Sequence, residues 1–310
     1  MESSPALIPI EAPAPLAAAR ETSAPARPSV KATRGLLSLQ GVWKIFPASR
    51  VPILSDVTLE CRPGEFVVVV GPSGCGKTTL LNVAAGMAIP ERGTVQLDGE
   101  PVKSPGPQRA MVFQEHGLFP WLTAEQNVAF GLKMAGVAKS ERDDRVVAAL
   151  RMVHLSGSGR KLVHELSGGM RQRIAIARAL VMDPAVLLMD EPFASLDAQT
   201  RTLLHQQLQD LWGQTKKTIL FVTHSVGEAV RLADRIIVLH AHPGRIRAEI
   251  GVNLPHPRQL DSPAMSELAR RVRKEIEDEV NRVNAAAQEF WQPPSSVDLD
   301  SGPGGMGDGI

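Results

Sequence analysis

The run GPSGCGKT at positions 71–78 has the residue types that hold a phosphate chain. Gly71, Gly74 and Gly76 leave backbone N–H groups free to curl around phosphate oxygens, and a helix start just beyond adds the positive end of its dipole. Lys77 is long enough to reach the β- and γ-phosphates, and Thr78 can offer its hydroxyl to magnesium. The apolar run 66–70 precedes the loop and the helix-compatible run 80–85 follows it, the strand, loop and helix order that a P-loop requires. Such a loop alone serves kinases, GTPases, helicases and transport ATPases, so other residues must choose among them.

A second chemical centre lies at MDEP, positions 189–192, where the apolar run 186–189 ends in Asp190 and Glu191. Two acids at the carboxyl edge of a sheet strand sit where α/β ligands bind. Asp190 suits the magnesium shell, and Glu191 suits polarising the water that attacks a γ-phosphate. This ordering resembles a Walker B strand. His224 follows the run 219–223 in the same way and is read as a γ-phosphate contact. LSGGMRQR at 166–173 leads into the helical run 174–180, so Ser167, Gly168 and Gly169 mark a second helix start able to bind an anion. His240 and His242 in HAHPG have metal-ligand spacing but no third candidate beside them, and read as turn residues.

Positioning these groups requires a sheet. Short β-rich runs recur at 36–39, 66–70, 110–113, 186–189, 219–223 and 236–239, with helical stretches between most of them. Continuous apolar strands of this kind belong to a sheet covered on both faces, which predicts an α/β fold. The segment 123–164 breaks the rhythm and reads as an inserted helical subdomain, spanning about 115–165. Ser262 and Pro263 signal a helix start, after which Met265, Leu268, Val272, Ile276, Val280 and Val283 recur at three- and four-residue steps. That predicts a C-terminal amphipathic helix over 261–292, its apolar face packed on the parent domain or, as the alternative, offered to a partner or membrane surface. Residues 1–34, rich in Ala and Pro, and the Gly-rich stretch 293–310 lack apolar periodicity and are read as disordered tails around a domain at 35–260.

The balance of 34 basic and 33 acidic residues gives no global reason to expect capture of nucleic acid or of an anionic surface. Apolar runs fall short of the roughly 20 residues of a membrane-spanning helix, and Glu2 and Glu11 stand where a secretory signal would be basic. Cys61 and Cys75 are too few for a disulfide framework and read as reduced thiols, with Cys75 in the loop expected to face ligand.

From about position 36 to 256 the sequence resembles the ATP-binding subunits of ABC transporters, with the motifs in order: GPSGCGKT, LSGGMRQR, MDEP, Gln114 at the Q-loop, ASLD at 194–197 as the D-loop, and His224. The resemblance implies a RecA-like P-loop NTPase core, an antiparallel β subdomain and the helical subdomain. It implies ATP and Mg2+ as ligands, with Gly71, Pro72, Ser73, Gly74, Cys75, Gly76, Lys77, Thr78 and Thr79 binding nucleotide, Phe46 in VWKIF stacking on adenine, and Thr78, Gln114 and Asp190 around the metal. It assigns catalysis to Glu191, His224 and Gln114. Ser167, Gly168, Gly169 and Asp197 would complete a partner chain's site, so that two subunits, expected to be identical, sandwich two nucleotides head to tail. Ser225 replaces a common acid after the histidine, and Met170 a common glutamine after the signature glycines; neither removes a phosphate ligand.

The segments 112–132 and 190–201, with Pro120 and Trp121, look like the nitrate, sulfonate, taurine and bicarbonate branch of importers. That resemblance implies a peripheral protein on the cytoplasmic face of the inner membrane, partnered by transmembrane permease subunits and, through them, by a periplasmic or extracellular solute-binding protein, with no nucleic-acid partner. Phe119 and Trp121 are expected to form a docking groove for the permease, with simple core packing as the alternative. The alternative, a non-transport ABC ATPase of DNA repair or translation, usually brings a long coiled-coil insertion or two cassettes, which this sequence lacks. A P-loop kinase would leave LSGGMRQR and His224 without a role.

Overall fold

The computed structural model describes residues 34–46, 51–258 and 262–290. The tails read from the sequence fall outside these residues, apart from Arg34.

Two sheets are stacked against each other. The first is antiparallel and is built from β1 (Leu37–Lys44), β2 (Leu54–Cys61), β4 (Arg92–Leu97) and β5 (Glu100–Pro101), in the order β2-β1-β4-β5. The second contains β3 (Phe66–Val70), β6 (Arg109–Val112), β7 (Val186–Asp190), β8 (Thr218–Val222), β9 (Arg235–Leu239) and β10 (Ile246–Gly251), in the order β10-β9-β3-β8-β7-β6. Its strands run parallel except β10, which pairs antiparallel with β9.

Why β3 is apolar throughout, and β7 and β8 are apolar except for Asp190 and Thr218 at their ends, follows from burial on both faces. Phe66, Val68 and Val70 enter one core cluster and Val67 and Val69 the other. Leu187 and Met189 oppose Val186 and Leu188 in the same way, and Ile219 and Phe221 oppose Leu220 and Val222. Every residue of these strands is buried, so the period-2 pleat sends alternate side chains into different layers and leaves no solvent-facing position along the strand. One layer holds α1 (Lys77–Ala85) and the antiparallel sheet; the other holds helices. β2, a strand beyond those expected from the sequence, alternates from Asp56 on, with Val57, Leu59 and Cys61 buried and Asp56, Thr58 and Glu60 exposed.

The helical layer comprises α2 (Ala124–Met134), α3 (Lys139–Met152), α4 (Gly168–Leu180), α5 (Ala198–Thr215) and α6 (Val226–Leu232). Thr123 and Gln126 form a reciprocal capping box at the start of α2. Ser167, Asp197 and Ser225 each accept a backbone N–H at the start of α4, α5 and α6.

The last helix, α7 (Pro263–Phe290), packs Met265, Leu268, Val272 and Ile276 onto the helical core and Val283 onto the other cluster. Val280 departs from the expected apolar face and is 37% exposed. Glu279 turns inward in its place and is fully buried. Steps of three and four from Ile276 to Glu279 to Val283 fit the stripe as well as a path through Val280, and Glu279 finds hydrogen-bond donors there.

Candidate functional site

The loop 71–76 joins β3 to α1. Gly76 caps α1 at φ 94°, in the left-handed region, and a Cβ there would lie 2.8 Å from Leu54 Cδ2 and 3.2 Å from the Ile53 carbonyl oxygen. Glycine is therefore required twice, by conformation and by the close approach of β2. Lys77 Nζ donates to the carbonyls of Gly71 at 3.0 Å and Pro72 at 2.9 Å, folding its ammonium back over the loop. Ser73, Gly74 and Thr78 are exposed on the loop surface, and Pro72 and Thr79 half-buried. Cys75 differs from expectation: its side chain is buried in the core beneath the loop, because the curl that turns the backbone outward turns that side chain in. Burial pushes its thiol above the usual range, against the opposing charge of Lys77.

β7 delivers the acids. Thr78 Oγ1 donates to Asp190 Oδ1 at 3.2 Å, so the loop hydroxyl and the strand carboxylate stand side by side. Burial raises the Asp190 pKa, with Glu191 adding to the rise and the Thr78 hydrogen bond and Lys77 opposing it. Glu191 has φ 42°, a rare conformation for a residue with a side chain, and its N–H donates to Val222 O at 2.9 Å. Its Oε2 lies 2.8 Å from His224 Nδ1. Loop, acids and histidine thus form one cluster at the carboxyl ends of β3, β7 and β8. Gln114 is exposed just past β6, the strand beside β7. Phe46 follows β1 and is partly exposed, with Lys44 Nζ 5.2 Å from its ring centre. Lys44 pairs with Leu54, the residue that abuts Gly76, which puts this strand end beside the loop.

Ser167, Gly168 and Gly169 open α4 in the helical layer. A Cβ on Gly169 would meet Thr200 Cγ2, and one on Gly168 would lie 3.3 Å from Leu196. These glycines therefore pack on the segment capped by Asp197, whose carboxylate accepts from Thr200 N at 2.9 Å. Among the described residues no hydrogen bond joins this second cluster to the first.

Further supports were not foreseen from the sequence. Thr223 donates to Glu228 Oε2 at 2.6 Å, the other oxygen of Glu228 lies 3.2 Å from His205 Nε2, and all of these side chains are buried. This network holds the backbone immediately before His224. Ser225 caps α6 by accepting the Glu228 N–H, while the Glu228 carboxylate turns into the core instead of reaching back to close a capping box. Buried Asn127 accepts from Phe119 N at 2.8 Å and donates to the carbonyls of Phe119, Leu122 and Thr123, clamping the loop that presents Trp121. His240 is more than a turn residue, since its Nδ1 lies 2.6 Å from Glu279. No group of three or more His, Cys, Asp or Glu side chains that could hold a metal ion occurs there or elsewhere among the described residues.

The family model for ABC transporters matches residues 54–194. An uncharacterised ABC transporter ATP-binding protein of Methanocaldococcus jannaschii is 47% identical over 246 residues, 79% of this chain and 92% of that protein. An aliphatic sulfonates import ATP-binding protein of Bacillus licheniformis is 46% identical over 74% of this chain and 88% of its own length. A taurine import ATP-binding protein of Pseudomonas putida is 44% identical over 68% of this chain and 80% of its own. A solved dimeric ATP-binding cassette in a post-hydrolysis state, bound to ADP and Pi, superposes with a TM-score of 0.62 at 32% identity, covering 71% of this chain and all of that one. With the phosphate loop, the paired acids and the second helix start placed as described, and relatives this similar over this much of their length, the chain belongs to the ABC transporter family as one of its ATP-binding proteins.

Proposed function

We propose that this chain is the ATPase subunit of an importer for a small sulfonate-like anion, working as a head-to-tail pair in which each copy completes the other's nucleotide site. The observation that carries this reading is the division of phosphate-binding groups into two clusters, loop with acids and histidine in one, Ser167 with its glycines and Asp197 in the other. A second copy would supply the missing cluster. The dimeric state of the similar solved cassette supports this, and the names of the sulfonate and taurine relatives support the cargo class.

In this reading ATP lies on residues 71–79 with its adenine against Phe46. Thr78 and Asp190, an adjacent pair of hard oxygen ligands, would hold Mg2+ together with Gln114, and the ion's chemistry when bound is to neutralise charge on the phosphate oxygens. Glu191 accepts a proton from the attacking water, and His224 holds the Glu191 carboxylate and the γ-phosphate in register. A lone cassette would bind nucleotide without enclosing it.

Coupling to a membrane partner falls to the part of the helical layer that carries Trp121, at α2 and α3. Trp121 is 72% exposed beside a groove of about 610 Å³ lined by Phe130, Met134, Val146 and Val147 among others. A large aromatic held by a clamped loop at such a groove is an anchor for a helix of a permease. No helix of the described residues is long and apolar enough to cross a membrane; the import ATP-binding relatives are what support a peripheral subunit at the cytoplasmic face.

A mixing experiment tests the shared site. Lys77→Ala and Ser167→Arg chains should each be inactive alone, yet their mixture should regain ATPase activity, because a mixed pair retains one intact loop facing one intact signature. No recovery in a mixture shown to form mixed pairs would defeat the shared-site reading. Uptake of taurine, an alkanesulfonate and nitrate by cells expressing the parent or the Lys77→Ala chain then separates the cargoes.

A further inference from the structure

The turn after β9 and the helix α7 meet at Glu279, whose side chain is fully buried. Its carboxylate lies 2.6 Å from His240 Nδ1, accepts from Ala241 N at 2.8 Å and from Arg282 Nε at 3.0 Å, and has Arg247 at 3.4 Å. A buried carboxylate is costly unless its oxygens are satisfied, and these donors satisfy both. An acid on the inward stripe of an amphipathic helix is thus placed to hold one particular loop.

That loop stands directly behind the phosphate loop. Gly244 N donates to Ile53 O at 2.8 Å, and Ser55 N donates to Gly244 O at 2.9 Å, pinning the turn to the start of β2. A Cβ on Gly244 would overlap the Cys75 carbonyl oxygen, and one on Gly71 would lie 3.1 Å from the Leu239 carbonyl oxygen. His242 is the nearest neighbour to where a Cβ of Gly74 would sit, at 3.9 Å. Ala241 and Cys75 share the core cluster onto which Val283 of α7 also packs. The Cys75 thiol, raised first by burial, is raised further by the charge of Glu279, so that carboxylate is felt at the phosphate loop itself.

We propose that Glu279 is a positioning residue for nucleotide binding: α7 reaches the 240–244 turn through it and thereby holds the backbone of the phosphate loop in its anion-binding curl. Backbone N–H groups bind phosphate well only when already aimed, so a loosened backing raises the cost of ordering the loop around ATP. The inference rests on the reading that residues 71–78 bind ATP. A helix that only covers apolar core would need no carboxylate, and Met265 and Val272 already supply that cover at the other end of α7.

The test compares Glu279→Gln, Val272→Ala and Lys77→Ala in the full chain by ATP turnover, binding of ATP with magnesium, and melting temperature. Glu279→Gln should raise the KM for ATP by about fivefold while kcat changes little. Val272→Ala should lower the melting temperature at least as much and leave KM unchanged. His240→Ala, which removes one donor, should shift KM in the same direction by less, and it carries the test should Glu279→Gln fail to fold. An unchanged KM in the Glu279 and His240 variants, beside lost binding in Lys77→Ala, would overturn the inference. An equal KM shift in Val272→Ala would overturn it too, reducing α7 to general support. Undiminished binding in Lys77→Ala would overturn the site reading instead.

Discussion

Glu191 Oε2 and His224 Nδ1 lie 2.8 Å apart, although the residues come from the ends of different strands. The pair exists because β7 and β8 are parallel neighbours in register, Asp190 opposite Val222. Replacing Glu191 by Gln keeps the shape and removes the proposed proton acceptor, so hydrolysis should fall by about 10²-fold or more while ATP binding survives. With ATP and magnesium the variant should elute as a dimer, and with ADP as a monomer. Adding Ser167→Arg should abolish the dimer. A Glu191→Gln chain that turns over ATP at the parental rate removes Glu191 from the role of base.

Lys77→Ala should abolish nucleotide binding with little loss of fold. The ammonium hydrogen-bonds only within its own loop, to the carbonyls of Gly71 and Pro72 and to the Cys75 sulfur, so its removal breaks no hydrogen bond to another element. Nucleotide titration beside a melting curve decides it; a collapse in melting temperature would show that the lysine acts as a structural brace.

Trp121→Ala and Asn127→Ala should separate docking from loop stability. Trp121 is mostly exposed, so its loss should leave the melting curve and the ATPase of the isolated subunit unchanged and weaken co-purification with the permease. Asn127 is fully buried and clamps the loop, so its truncation leaves polar groups unpaired and should cost about 1–3 kcal/mol in denaturant unfolding. Equal stability losses in both variants would return Trp121 to the core.

The acid limb of the stability profile should carry a signature of Glu279. Burial pushes its carboxyl up, but hydrogen bonds from Arg282, the Ala241 N–H and His240 outweigh that and hold it at about 2, against an ordinary 4.5. A carboxyl depressed on folding stabilises the protein above its unfolded pKa, and that contribution is lost as pH falls from about 4.5 towards 2. Glu279→Gln should therefore lie furthest below the parent in melting temperature near pH 7 and approach it in acid. A gap constant with pH would mean that the charge contributes nothing.

The chemistry of this protein is legible in its sequence because it depends on short runs with local causes. The phosphate loop needs glycines and a lysine in one stretch; β3, β7 and β8 carry continuous apolar runs because both faces are buried; Ser167 and Asp197 sit where helix caps sit. The sheet order is of another kind. Nothing local places β3 between β9 and β8, or brings His224 to Glu191, since those neighbours are chosen by long crossovers through helices. Hydrophobic periodicity likewise put Val280 on the inner face of α7, where the structure puts Glu279. A helical stripe read by apolarity alone passes over a carboxylate whose partners, His240, Ala241 and Arg247, lie far away in the chain. Only tertiary structure brings those donors to it, because the free energy that keeps a charge buried comes from groups that the local sequence does not contain.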